Sequence, residues 1–243
     1  MDLSWRGKKV AFLGDSITDA IHVGTTRNYW QDLQDWMGIV PLVYAINGQQ
    51  WIDIKDQAEK LNNEHPGEVD AIFIFAGTND FNADIPLGEW WHTEMKMTNH
   101  NGTDVRRLHR IANTDCGCVR GRINTAMGYI RDTFPEQQIV LATPLHRGFS
   151  QFGPNNIQPD ESYANALGLF MDDYAQVIRE AGAIWSAPVI DLFSTSGLLP
   201  QRPAYGIYMH DPVDDRLHPC ARGHEKLARI IMGGLSVLPP TFR

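Results

Sequence analysis

Short apolar runs recur along this chain, separated by longer stretches that are amphipathic or polar. Runs at 9–13, 40–46, 70–75, 138–143 and 182–190 read as strands, closed in turn by Gly14, Asn47-Gly48, Ala76-Gly77, Pro144 and Asp191. Their unbroken apolar character suits parallel strands covered on both faces. Between them, 29–37, 120–133, 162–181 and 224–235 read as helices, with Gly182 placed as the stop of the third. Strand and helix alternating in this way predict right-handed crossovers and an α/β fold. The expected architecture is a three-layer αβα sandwich with a five-stranded parallel sheet. Its strand order is expected to be flavodoxin-like, since a barrel would need eight strands.

Segment 82–119 breaks the pattern. It is polar, rich in His and Asn, and carries Trp90 and Trp91 near its start. The expectation is a long irregular insertion in a single domain spanning 1–243. It reads either as a lid or as a surface excursion whose tryptophans pack on the body.

Composition narrows the partners. The 243 residues carry 43% hydrophobic and 21% charged side chains, an ordinary globular balance, and a net charge of −8. That balance argues against nucleic acid and against an anionic membrane surface as partners. No apolar run approaches the roughly 20 residues of a membrane-spanning helix. The N-terminus lacks the apolar core of a signal peptide, so a cytoplasmic location is expected, a trimmed leader being the alternative. Cys116, Cys118 and Cys220 are too few and too irregularly spaced for a disulfide framework or a zinc site, and read as free thiols.

In an open parallel sheet, ligands bind beyond the carboxyl ends of the strands. Gly14-Asp15-Ser16-Ile17-Thr18 follows the first strand, Asn47-Gly48 the second and Gly77-Thr78-Asn79-Asp80 the third. Asp215-Arg216-Leu217-His218 lies before the last helix. A serine hydroxyl becomes a nucleophile when a positioned imidazole takes its proton, and a carboxylate on the second nitrogen orients that imidazole. Asp215 and His218, three residues apart, can meet across one tight turn. The backbone N–H groups of Ser16 and Gly48 and the amide of Asn79 are candidate donors to an oxyanion. Gly14 and Thr18 flank Ser16 at two residues, so the Gly-x-Ser-x-Gly elbow of the α/β-hydrolases is not present.

Other readings compete at each position. Ser16 can cap a helix, Asn79-Asp80 can form an Asx turn, and His218 can be an ordinary surface histidine. Asp15, Asp80 and His224 read as structural. Arg147 can reach an acidic substrate or pair at the surface. His210, Asp211, Asp214, Asp215 and His218 have the chemistry of metal ligands, but a metal-dependent hydrolase built on them leaves Ser16, Gly48 and Asn79 without a role.

The four blocks in this order resemble the SGNH hydrolases, the GDSL-type esterases, lipases and acylhydrolases, over residues 10–230. The resemblance implies Ser16 as nucleophile, His218 as base, and Asp215 as its orienting group. It implies an oxyanion hole made by Ser16, Gly48 and Asn79, with no metal or cofactor. Many relatives carry a second glycine after the one at 48, whereas this chain reads Gly48-Gln49-Gln50-Trp51. The expected activity is therefore serine-dependent ester hydrolysis through an acyl-enzyme. The expected substrate is a small-molecule or carbohydrate ester with a short acyl group such as acetyl, because aromatic faces suit sugar rings and no long apolar segment suggests a lipid tunnel. Trp51, Trp90, Trp91 and Arg147 are the expected pocket walls. A non-catalytic glycan- or protein-binding module on the same fold is the remaining alternative.

Overall fold

The structure, a computed structural model, describes residues 5–238. The chain runs β1 (Lys9–Gly14), α1 (Tyr29–Met37), β2 (Val40–Val43), α2 (Ile54–Glu64), β3 (Ala71–Phe75) and α3 (Thr78–Asn82). It continues through β4 (Trp91–His100), β5 (Thr103–Ala112), α4 (Val119–Thr133), β6 (Gln138–Ala142), β7 (Ser150–Gly153) and β8 (Asn156–Gln158). The last third holds α5 (Met171–Trp185), β9 (Val189–Ile190), α6 (Leu192–Thr195), β10 (Met209–Asp211), β11 (Asp215–Pro219) and α7 (Ala221–Ser236).

The central sheet has the order β2-β1-β3-β6-β9, every pair parallel. This is the flavodoxin-like arrangement, whose topological switch point lies between the first and third strands. Alternation along each strand divides the core in two. Ala11, Leu13, Ile72, Ile74, Ile139 and Leu141 face the layer of α2, α4 and α5. Val10, Phe12, Phe73, Phe75, Val140 and Ala142 face α1 and α7. Both faces are apolar because both are covered, which is why the strands read as continuous runs.

Several elements differ from the sequence expectation. Helix α2 goes unanticipated because its sequence is mostly polar, yet Ile54, Ala58 and Leu61 recur on one face and are fully buried. The third expected helix starts at Met171 instead of residue 162. Asn165 turns the preceding chain back on itself, its Oδ1 accepting from the N–H groups of Leu167 and Leu169. Gly182 does not stop that helix. It lies inside α5 where a Cβ would come within 2.3 Å of Val189 Cγ2, so it permits close packing on β9, and Ser186 at φ 50° ends the helix.

The segment expected as an irregular insertion at 82–119 is largely regular. It holds α3's end and a two-stranded antiparallel ribbon, β4–β5, in register from Trp91↔Ala112 to His100↔Thr103. A separate four-stranded sheet, β10-β11-β7-β8, is also absent from the sequence reading. Among the described residues no helix is long and apolar enough to cross a membrane.

Candidate active site

The loop carrying Ser16 begins where β1 meets β3. A Cβ on Gly14 would lie 2.2 Å from the Phe75 carbonyl oxygen, so only glycine allows this approach. Gln57, from α2, pairs with the same residue twice: Gly14 N–H donates to Gln57 Oε1 and Gln57 Nε2 donates to the Gly14 carbonyl, both at 2.8 Å. Asp15 Oδ1 accepts from Ile17 N–H, closing the turn around a buried Ser16. Burial is the main cause that pushes the Asp15 carboxyl up to about 7.

Two further loops converge on Ser16. Gly48 sits at φ 81°, left-handed backbone that glycine adopts without cost, and Asp19 Oδ2 holds the loop by accepting from Asn47 N–H at 2.6 Å. Asn79, in the first turn of α3, donates from Nδ2 to the Gln49 carbonyl at 2.9 Å. An amide nitrogen has two hydrogens, so a second remains for a ligand. Among the described residues the backbone N–H groups of Ser16 and Gly48 donate to no protein acceptor.

Asp215 and His218 come from β11, not from a loop. Residues three apart on a strand would face opposite ways, but Asp215 Oδ1 accepts from the N–H groups of Leu217 and His218 and curls the backbone toward itself. His218 Nδ1 then lies 2.9 Å from Asp215 Oδ2, and His218 Nε2 lies 2.9 Å from Ser16 Oγ. Burial alone would raise the Asp215 carboxyl, but hydrogen bonds from His218 and His210 outweigh it and hold it below its ordinary value. His210 Nδ1 lies 2.9 Å from the same Oδ2, so two imidazoles share one carboxylate oxygen. A cavity of about 330 Å³ opens over this chain, walled by Gly48, Asn79 and Phe152 among others. The arrangement has an activatable hydroxyl, a base with an oriented tautomer, and uncommitted donors beside them.

The sequence profile of the GDSL-like lipase/acylhydrolase family matches residues 12–226. This chain belongs to that family. It is a carboxylic ester hydrolase. No curated protein matches the sequence significantly. Among solved structures, a protein from Lactobacillus plantarum is 24% identical, with 96% of this chain and 99% of that one covered at a TM-score of 0.73. A possible lipase from Chitinophaga pinensis is 19% identical, over 93% and 96% of the two chains, at 0.67. An acetyl xylan esterase from Geobacillus stearothermophilus is 20% identical, over 95% of each, at 0.55. These likenesses extend the shared fold across nearly the whole chain.

In this GDSL-like hydrolase the expected pocket walls lie elsewhere. Trp51 is fully buried in the α2–α4 side of the core, and Trp90 is 8% exposed with its Nε1 donating to Glu180 Oε2 at 2.8 Å. Trp91 packs against the same core with Arg110 over its ring. None of the three lines the cavity at Ser16: Trp51 is packed in the core at the start of α2, and Trp90 and Trp91 belong to a ribbon base anchored to α4 and α5. Arg147 is 1% exposed and bonds the Thr78 carbonyl and Gln158 Oε1, so it meets no ligand. Burial lowers its pKa to about 10, leaving it charged near neutrality.

Asp80 is structural, its Oδ1 on Arg122 Nη1 at 2.8 Å and its Oδ2 accepting from Trp51 N–H. His224 stacks on Tyr29 and accepts from its N–H, and burial pushes its pKa down to about 3. Asp211 caps the β10–β11 turn through the N–H groups of Val213 and Asp214. Among the described residues no three His, Cys, Asp or Glu side chains gather as a metal site. Cys116, Cys118 and Cys220 are free thiols.

The site also uses residues the sequence reading passed over, Gln57, Asp19, Phe152, Asn156 and Gln158, and His210, read there as a possible metal ligand, instead bonds Asp215. For Gln57 the i, i+4, i+7 pattern of α2 was the available signal. For Phe152 and its neighbours no local signal existed, because they reach the site by pairing with β11.

Proposed function

We propose that this hydrolase cleaves esters of short acyl groups, acetyl above all, on a carbohydrate alcohol, by a serine-dependent two-step route. In this reading His218 takes the Ser16 proton as Oγ attacks the carbonyl carbon. The negative charge on the carbonyl oxygen is met by the Ser16 and Gly48 N–H groups and the Asn79 amide. His218 returns its proton to the departing alcohol oxygen, leaving Ser16 acylated. Water, deprotonated by the same imidazole, then releases the acid. Asp215 orients His218 and stabilises the imidazolium.

The observation that carries this reading is the chain from Asp215 through His218 to Ser16 Oγ, each link at 2.9 Å. The preference for a short acyl group rests on the cavity's size and walls. At about 330 Å³, with the polar side chains of Asn47, Asn79, Asn156 and Gln158 set among Val23, Phe152 and Leu217, it has the size of a small-ester site. The fold shared with an acetyl xylan esterase supports a carbohydrate ester as substrate.

The test is hydrolysis of 4-nitrophenyl acetate, butyrate and octanoate by wild type and Ser16→Ala, with and without chelator. The expected result is a loss of roughly four to six orders of magnitude in kcat for Ser16→Ala, chelator indifference, and acetate as the preferred ester. Octanoate exceeding acetate would overturn the short-acyl reading. Activity surviving in Ser16→Ala would overturn the serine route.

A further inference from the structure

A second cavity, of about 380 Å³, adjoins the first and shares two of its lining residues, Asn156 and Gln158. Such a volume is in the range of small-molecule sites. The two shared side chains form the partition between the cavities, and the partition is fixed. Gln158 Nε2 donates to Asn156 Oδ1 at 3.0 Å, and Gln158 Oε1 accepts from Arg147 Nη2 at 2.5 Å. Arg147 Nη1 in turn donates to the carbonyl of Thr78, next to Asn79. A buried guanidinium bonded to neutral groups thus ties the partition to the loop that carries a candidate oxyanion donor.

The chemistry of the second cavity is selective. Its wall carries five side-chain amides, with Asp84 and Asp160 as its charged groups and no Lys, Arg or His. Among the described residues the side chains of Asn82 and Asn155 and the Tyr163 hydroxyl have no hydrogen-bond partner, although all three border the space. Asp84 and Asp160 each accept a backbone N–H through Oδ1, from Ala166 and Ser162, leaving Oδ2 for a ligand. Donors and acceptors are therefore both on offer, which suits hydroxyl groups. An anionic ligand would face two carboxylates with no counter-charge, and an alkyl chain would strip water from amides without replacing it. Tyr163, 64% exposed, and Phe81 beneath supply aromatic surface.

The geometry points to this second cavity as the subsite that holds neutral sugar rings of the alcohol half of the substrate, while the cavity at Ser16 holds the ester. The assignment deepens the carbohydrate-ester reading and rests on it. Specificity for the alcohol then resides at Asn155, Asp160 and Tyr163, beyond the Asn156–Gln158 partition.

The experiment uses two variants, Ala164→Trp to fill the cavity and Tyr163→Ala to remove its exposed ring; both positions are exposed, and a thermal melt checks folding. Two readouts are taken. The first is steady-state kinetics on acetylated xylotetraose and on 4-nitrophenyl acetate. The second is calorimetric binding of unacetylated xylotetraose, cellotetraose and an acidic galacturonate oligomer to Ser16→Ala, with and without Ala164→Trp. The expected result is a tenfold or larger rise in KM for the acetylated tetraose in both variants, with kcat/KM on 4-nitrophenyl acetate changed less than twofold. Neutral tetraoses should bind, and Ala164→Trp should abolish that binding. Equal losses on both esters, no loss on either, or tighter binding of the acidic oligomer would overturn the subsite. Failure of the wild type to deacetylate any sugar, with tetraose binding still lost in Ala164→Trp, would sink the carbohydrate-ester function and leave the subsite standing.

Discussion

Besides β10–β11, which carries Asp215 and His218, two β-hairpins project from the central fold, and only β7–β8 lines the cavity at Ser16. The β4–β5 ribbon pairs ten residues with ten and nothing else, and most of its side chains are exposed on both faces. The β7–β8 hairpin is less than half as long, yet it is locked to β11. Ser150 lies opposite Asp215, Gln151 N–H donates to the Asp214 carbonyl at 2.7 Å, and Arg216 N–H donates to Phe149 at 2.9 Å. That pairing sets the Phe152 ring 5.3 Å from the His218 ring and gives Asn156 and Gln158 to both cavities. Length, polarity and tryptophans drew attention to the first segment. Strand pairing with Asp215, which bonds His218, decides in favour of the second.

The strongest way to break this contrast is Gln151→Pro, which removes the ladder donor to Asp214. It should lower kcat/KM on an acetyl ester by roughly 10²-fold, because the wall and the strand carrying His218 lose their common register. A milder change, Phe152→Ala, keeps the hairpin and removes the ring against His218. About tenfold in kcat/KM is expected, and no change would mean that the hairpin contributes only its backbone.

Stability offers a third comparison, since the site side of the molecule buries a carboxyl that the ribbon has no counterpart for. Asp15 is raised from 3.8 to about 7, so the folded protein binds its proton more tightly than the unfolded chain. Its contribution is fullest below about pH 4 and is lost as pH rises through 7. Thermal melts between pH 5 and pH 8 should show the wild type losing a few degrees more than Asp15→Asn. Parallel curves would overturn that assignment. The smallest effect is expected from truncating the ribbon. Thr93 and Arg110 are directly opposite, so an Asn-Gly turn in place of 94–109 closes it. Activity on acetyl esters should stay within about twofold, whereas a collapse would restore the lid reading.

The same contrast explains what was legible beforehand. Ser16, Gly48 and Asn79 each follow a strand whose apolar run is visible in the sequence, so the topological rule placed all three at one edge. Asp215 and His218 were recognisable by spacing, though their strand was not, because β11 is short and its direction is set by partners. Trp51, beside the Gly48 loop, and Trp90 and Trp91, in the polar insertion, misled because an aromatic residue at such a place reads equally well as pocket wall or core. Their burial against α2, α4 and α5 settles the matter, and α2 itself was hidden by its polar surface.

The sequence by itself determined four apolar strands and the reactive groups at their carboxyl ends; of the fifth expected run, 182–190, only Val189–Ile190 is strand, its first part being the end of α5. These follow from local periodicity and from where each run stops. Only the tertiary structure decided which surfaces wall the site. The physical reason is that a wall is made by pairing between segments distant in the chain, Ser150 with Asp215 and Arg147 with Thr78 and Gln158. Hydrogen bonds of that kind depend on the finished packing and leave no periodic trace in the residues that make them.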